Sequence, residues 1–166
     1  MFIVITGPTG VGKSTVSKKL VKEFPHSVNI DLDTIKHFVV SGFHYDESEE
    51  GHRQWTLLGK NAAYVIKNFL NEGYTVIVNG MVSELTWDEI FRAATPDVKI
   101  LLRSDRDVNI SRDIHRAGPV RLGKKKVLEH HDYFADTHYF DGFTVIDNSA
   151  HSVEETVKEI LKLVPG

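Results

Sequence analysis

Apolar residues along this chain come in two alternating kinds of run. The first kind is short, continuous and rich in β-branched residues: Phe2-Ile3-Val4-Ile5, Thr75-Val76-Ile77-Val78, Val98-Lys99-Ile100-Leu101-Leu102 and Phe143-Thr144-Val145-Ile146. Such runs suit strands buried on both faces of a parallel sheet. Ser27-Val28-Asn29-Ile30 reads as a further, more polar strand. The second kind recurs at helical spacing. Val16, Leu20, Val21 and Phe24 predict a helix that starts near Lys13 or Ser14. Ile35, Phe38 and Val39 share one side of another helical segment. Trp55, Leu58, Ala62, Val65, Ile66, Phe69 and Leu70 make the stripe of a long helix. Ile90 and Phe91 carry a short helix, and residues 105–116 predict a polar, charge-rich one. Val153, Val157, Ile160, Leu161 and Val164 give the inward face of the last.

The breaks between these runs are equally informative. Pro25 interrupts the first helical pattern, and residues 41–51 hold four acids and two glycines, the composition of a mobile loop. Asn71-Glu72-Gly73 supplies a glycine carboxy cap to the long helix. Thr86-x-x-Glu89 and Ser152-x-x-Glu155 have capping-box spacing, so each is expected to open a helix. Strands alternate with helices throughout, without repeat or linker. The expectation is one α/β domain over residues 1–166, with a parallel sheet of about five strands and helices on both faces.

Composition narrows the classes further. A chain of 166 residues with 41% apolar and 26% charged content is ordinary for a globular domain. Net charge is −3, so nothing global attracts nucleic acid or an anionic membrane. The absence of cysteine excludes disulfides and thiolate sites and fits the cytoplasm. The opening apolar run leads straight into a glycine-rich loop and is read as a core strand, not a leader. No stretch approaches the ~18 apolar residues of a membrane span.

That glycine-rich loop carries the chemistry. Gly7-Pro8-Thr9-Gly10-Val11-Gly12-Lys13-Ser14-Thr15 satisfies the phosphate-loop pattern G-x-x-x-x-G-K-[ST], between a predicted strand and a predicted helix. Glycines allow successive backbone N–H groups to turn inward towards phosphate oxygens, and the helix amino terminus adds partial positive charge. Lys13 is expected to reach the β- and γ-phosphates of ATP, and the Ser14 hydroxyl to ligate Mg²⁺.

Asp31 and Asp33 follow the second predicted strand, at the sheet edge where ligands gather in open α/β folds. A carboxylate there can hold Mg²⁺ or its water shell, or accept a proton from an attacking hydroxyl. If the strand runs on, both point to one side. The alternative is that one of them caps the next helix. Together, the Gly7–Thr15 loop and Asp31-x-Asp33 resemble the small P-loop kinases that phosphorylate hydroxyl groups. These include the shikimate, gluconate and chloramphenicol kinases and the kinase domain of phage-type polynucleotide kinase. The resemblance implies a P-loop NTPase fold, Asp31 on the magnesium side and Asp33 as base. Likeness of Ile30–Lys36 to the polynucleotide kinase segment implies Lys36 as a substrate contact. Many relatives place an acid after strand three, where this chain has Asn79-Gly80. Metal binding then rests on Ser14, Asp31 and the phosphates, and Asn79 is free to hydrogen-bond the acceptor.

Arg112 and Arg116 stand four apart on one helix face and precede Ala117-Gly118-Pro119. An arginine supplied in cis can stabilise charge spread over a migrating phosphoryl group. The alternative is a solvated face paired with Asp107 or Asp113. The resemblance makes residues of about 105–135 the lid, Arg116 the catalytic arginine and Arg112 its partner at phosphates or adenine. It likewise makes Asn148 and Ser149, after the last strand, part of the adenine-contacting loop, although turn chemistry accounts for Asp147-Asn148-Ser149 equally well. The loop 41–51 and the helix face with His52 and Arg53 are expected to form the acceptor pocket.

Other signals carry less. Among nine histidines, His130-His131 and His138 lack the i, i+4 pairing of a helical zinc site. Lys124–Lys126 reads as a solvated face, and Trp55 and Trp87 as core or pocket wall. Neither a GTPase N-K-x-D nor an ABC-type S-G-G-Q motif is present. The reading is an ATP-dependent phosphotransferase acting with Mg²⁺ on a hydroxyl of a small molecule. A polynucleotide 5′-hydroxyl kinase is an alternative that needs a basic track. A nucleoside monophosphate kinase is disfavoured, because two carboxylates facing an anionic acceptor repel it. The non-enzyme alternative is an ATP-binding switch, which has no use for a base at Asp33.

Overall fold

In the computed structural model, which describes residues 1–115 and 121–165, five strands form one parallel sheet. The strands are β1 (Phe2–Thr6), β2 (Ser27–Asp31), β3 (Thr75–Asn79), β4 (Val98–Arg103) and β5 (Thr144–Asp147), in the order β2-β3-β1-β4-β5. The helices are α1 (Lys13–Leu20), α2 (Leu32–Lys36), α3 (Glu49–Asn71), α4 (Glu84–Ala93), α5 (Arg106–Ile114), α6 (Lys124–Asp136) and α7 (Val153–Leu161). A single 3₁₀ turn, Val21–Glu23, finishes α1.

The central strand β1 is wholly buried, and its side chains alternate between two cores. Phe2 and Val4 face a core with Leu58, Ala62 and Ile66 of α3 and Trp87 and Ile90 of α4. Ile3 and Ile5 face a second core with Val16 and Leu20 of α1 and Val157 and Ile160 of α7. Both faces of the sheet are thus covered by helices. The order reverses at β1, whose neighbours are β3 on one side and β4 on the other. Crevices form outside the carboxyl ends of strands at such a switch point, and β1 delivers the phosphate loop there.

Local departures from the periodicity have physical causes. Thr86 does not cap a helix. Ser83 does, its hydroxyl accepting from the Leu85 N–H, and Thr86 is buried inside α4 with its hydroxyl donating to the Trp55 carbonyl at 2.8 Å. The capping box at Ser152 and Glu155 forms as expected. α2 stops at Lys36, and Phe38 beyond it is 70% exposed rather than inward. On α3, Val65 lies at the solvent edge of the stripe, and the helix begins already at Glu49, within the stretch read as loop. No helix among the described residues is long and apolar enough to cross a membrane.

Candidate active site

The loop between β1 and α1 is built on backbone that other residues resist. Gly10 and Gly12 have φ of +83° and +99°, and a side chain at Gly10 would meet the Asn109 carbonyl oxygen at 2.4 Å. Gly12 caps the amino end of α1 without any side-chain bond, and the partial positive charge of that helix terminus suits an anion. Lys13 Nζ folds over the loop and donates to the carbonyls of Gly7 (2.8 Å) and Pro8 (2.9 Å).

A second set of contacts pins the loop from the β5 side. Asn148, buried just after β5, donates through Nδ2 to the Val11 carbonyl at 2.8 Å. Arg112 of α5 donates to the same carbonyl at 3.3 Å and to Asn148 Oδ1 and the Asn148 carbonyl, each at 3.0 Å. Its partners are therefore neutral oxygens, not Asp107 or Asp113, and partial burial lowers its pKa from the usual value. Asp113 accepts instead from the N–H groups of Leu122 and Gly123, holding the start of α6. Ser149 turns away to Asp147 and to the Asp105 N–H and does not line the cleft. Arg116 lies outside the described residues, as do Ala117, Gly118 and Pro119.

Three oxygens converge beside the loop. Ser14 Oγ lies 3.2 Å from Asp31 Oδ2 and 3.2 Å from Asn79 Oδ1. Asn79 is wholly buried and its amide nitrogen donates to Asn29 Oδ1, so it faces Ser14 rather than an acceptor. Among the described residues no group of three His, Cys, Asp or Glu could hold a metal ion. Hard oxygens from a hydroxyl, a carboxylate and an amide nevertheless suit Mg²⁺, which keeps several waters and shares phosphate oxygens.

Asp31 ends β2 and caps α2, its Oδ1 accepting from the Asp33 N–H at 3.0 Å. The strand does not continue through Asp33, so the two carboxylates are brought together by the cap and not by strand alternation. Asp33, in the first turn of α2, lines the cleft and forms an ion pair with Lys36. Lys36 Nζ sits 5.6 Å from the Tyr45 ring centroid and 6.0 Å from that of Trp55, within cation–π range. Phe43 packs on both rings, at 4.9 and 5.0 Å between centroids. Trp55 is therefore pocket wall, whereas Trp87 is fully buried core. His52 lines the cleft with its Nε2 2.8 Å from Glu47, but Arg53 points outward and pairs with Glu50.

The cleft that joins these groups measures about 1690 Å³ and runs from Asn148, His151 and Val153 across the phosphate loop to Asp33, Trp55 and Glu84. Sequence reasoning missed its far wall. α6 lies over the loop, with His130 Nδ1 2.7 Å from Thr9 Oγ1. Tyr133 and Tyr139 donate to Glu84 (2.8 Å) and Asp88 (2.7 Å) of α4. Burial, then the neighbouring carboxylates, push both phenol pKa values well up, so both stay protonated donors. The available signal was spacing: His130 and His131 fall between the buried Val127 and Phe134, on the inner side of α6.

Comparison with known proteins agrees with this architecture. The AAA_18 family model, described as an AAA domain, matches residues 3–134. No curated protein matches the sequence. Solved structures that superpose well include a gluconokinase from Sinorhizobium meliloti 1021 (TM-score 0.67, 18% identity, 97% of this chain and 89% of that one). They also include the Deinococcus radiodurans tunicamycin resistance protein (0.70, 18%, 97% and 93%) and a thymidylate kinase from Candida albicans (0.65, 16%, 98% and 89%). At such identities the likeness speaks for the fold alone, a parallel sheet with helices on both faces. With its phosphate loop at the sheet's switch point, the chain belongs to the AAA domain family of the P-loop proteins.

Proposed function

We propose that this protein is an ATP-dependent phosphotransferase that moves the γ-phosphate of Mg·ATP to a hydroxyl group of a small molecule. The observation that carries the reading is the position of Asp33. Asp33 lines the same cleft as the phosphate loop and Ser14, and its backbone N–H is bonded to Asp31, whose other oxygen lies 3.2 Å from the Ser14 hydroxyl. A nucleotide-binding switch has no use for a carboxylate held there. The cleft exceeds the ~300–1,000 Å³ typical of a site for one small ligand, which leaves room for two substrates end to end.

In this reading Gly7–Thr15 and the amino end of α1 bind the triphosphate, and the base lies towards Asn148, with Ser149 outside the contact. Lys13 exchanges the Gly7 and Pro8 carbonyls for phosphate oxygens. Ser14 and Asp31 would hold Mg²⁺, with Asn79 fixing the Ser14 hydroxyl; the ion would offset charge on the β- and γ-phosphates. Asp33 accepts the acceptor hydroxyl's hydrogen bond and takes its proton as the oxygen attacks phosphorus. Lys36, steadied by Tyr45 and Trp55, keeps the Asp33 carboxylate in place. Arg116, assigned by resemblance, stabilises the migrating phosphoryl group from the lid. Acceptor-end carboxylates at Glu47, Glu84 and Asp88 favour a small acceptor over a polyanion such as nucleic acid.

The test is γ-phosphate transfer from labelled ATP across a panel of sugars, polyols, nucleosides, hydroxylated antibiotics and short oligonucleotides. A labelled small-molecule product that Asp33→Asn makes about 10²–10³-fold more slowly supports the reading. Mg·ATP binding without transfer to any hydroxyl, or labelling of oligonucleotides alone, overturns it.

A further inference from the structure

His130 takes no part in the reaction outlined above, yet it stands at the phosphate loop. Its ring is half-buried, lines the cleft and touches the Thr9 hydroxyl from the helix opposite. α6 holds it there firmly. Tyr133 anchors that helix to Glu84 of α4, Tyr139 just beyond it anchors to Asp88, and Arg103 of β4 donates to the Phe134 carbonyl at 3.0 Å. A side chain fixed this way above an anion-binding loop invites a role towards the anion.

We propose that His130 is a phosphate-binding residue that takes up a proton from solvent when a nucleoside triphosphate occupies the loop. The inference rests on the loop's reading as a triphosphate site and is independent of the acceptor.

The charges around the ring supply the mechanism. Burial comes first, then Lys126 on α6, Lys13 at the loop and Lys36 on α2, with only Glu129 opposing. The carboxylates of α4 in the cleft, Glu84 and Asp88, are engaged by tyrosine hydroxyls. Together these groups push His130 down to about 4, so the ring is neutral in the empty cleft at neutral pH. A triphosphate reverses the sign of that field, because its negative charges enter among the same lysines. Opposite charge at close range favours the protonated ring, so His130 titrates higher with the triphosphate bound than without it. Protonated, the ring donates from both nitrogens, one to Thr9 Oγ1 and the other to a phosphate oxygen. Since the bound-state value lies above the free one, uptake is greatest between the two and fades as pH rises through the bound value.

Titration calorimetry of Mg·ATP into the wild type and His130→Gln, in two buffers of different ionisation enthalpy, measures the proton directly. Glutamine can still bond to Thr9 but cannot titrate, and the nucleotide's own protons cancel between the two proteins. At pH 6 the wild type should take up a fraction of a proton that the variant does not, a difference that shrinks towards zero at pH 8. Its affinity should rise between pH 8 and 6 by up to about tenfold relative to the variant. Should the variant misfold, the His130 ring-proton shift of the wild type, titrated with and without a non-hydrolysable Mg·ATP analogue, reports the same change. Equal proton stoichiometry, or an unmoved titration, overturns this proposal and leaves the phosphotransfer reading standing. Failure of the wild type to bind millimolar Mg·ATP overturns both.

Discussion

The two ends of the cleft are built differently. At the nucleotide end, the loop is held by contacts from buried or half-buried groups: Asn148 and Arg112 on the Val11 carbonyl, and glycines whose backbone no other residue fits. At the acceptor end, the wall is an exposed segment, residues 41–48, tied down by surface contacts such as His52 to Glu47 and Gln54 to the Gly42 carbonyl. Tyr45, though it flanks Lys36, is 63% exposed. A triphosphate is the same in every turnover, and a preformed site avoids the ordering cost of binding it. A wall that is exposed and lightly bonded sits at the low-stability end of the fold, where a second ligand can order it.

The largest expected effect breaks the nucleotide end. Lys13→Ala removes the ammonium that folds over the phosphate loop. Transfer should fall by about 10³-fold or more, the scale of a lost charge-stabilising group at this transition state. The rise in melting temperature with Mg·ATP should largely vanish as well. Single-turnover rates and melting curves measure the two losses separately.

Asp33→Asn acts at the junction of the two ends. It keeps shape and removes both the proton acceptor and the ion pair with Lys36. Transfer should fall by about 10²–10³-fold, the lower part of the range for general-base assistance, because a loose transition state leaves the hydroxyl protonated until late. The Mg·ATP melting shift should persist. A variant that loses both equally places Asp33 in nucleotide binding instead.

A smaller effect tests how far the nucleotide end is prebuilt. Asn148→Ala removes the Nδ2 bond to the Val11 carbonyl and the Oδ1 acceptor for Arg112. Losing such buried bonds costs about 1–3 kcal/mol. For a domain of this size each kcal/mol lowers the melting temperature by about 2–4 °C. The drop should be partly recovered by Mg·ATP, which re-engages the loop. A variant as stable as the wild type would show that Gly10 and Gly12 hold the loop unaided.

These contrasts also explain what the sequence disclosed. All five strands, the alternation with helices and the phosphate loop are legible, because each follows from local periodicity or an eight-residue motif from Gly7 to Ser14. The cap at Asp31 stood as one of two readings, and the structure selects it. Thr86 misled because its hydroxyl satisfies a carbonyl on α3, a contact across 31 residues that capping-box spacing cannot see. The same limit hid His130, whose partner Thr9 is 121 residues away. Asn79 was recognised as unusual, but its bond to Ser14 depends on strand register, with Asp31 aligned to Asn79 across β2 and β3. The phosphate-loop motif is local and is written in the chain's order, as are Asp33 and His52 of the cleft wall. The contacts that cross the fold, Asn148 to the Val11 carbonyl and α6 over Thr9, are not.

Arg53 isolates the smallest case, a choice between neighbours on one helix. Successive positions of α3 differ by about 100° around its axis, so the phase that turns His52 to the cleft leaves Arg53 a quarter-turn away from it. Gly51 sets the phase. A side chain there would meet the Asp46 carbonyl oxygen at 2.2 Å, so that face packs on the preceding loop and turns His52 and Trp55 towards the substrate space. Arg53 is left outside, three-quarters exposed and paired with Glu50 at 3.4 Å. Exposed pairs of this kind contribute about 0–1 kcal/mol. Arg53→Ala should therefore change the acceptor KM by less than about twofold and the melting temperature by no more than about 2–4 °C. Trp55→Ala, which removes one of the two rings beside Lys36, should raise that KM about fivefold or more, on the scale of a desolvated cation–π contact. Steady-state kinetics with the acceptor found by transfer assay compares the two directly. If Arg53→Ala raises KM as much as Trp55→Ala, the acceptor extends over the outer face of α3, and the cleft described here holds only part of it.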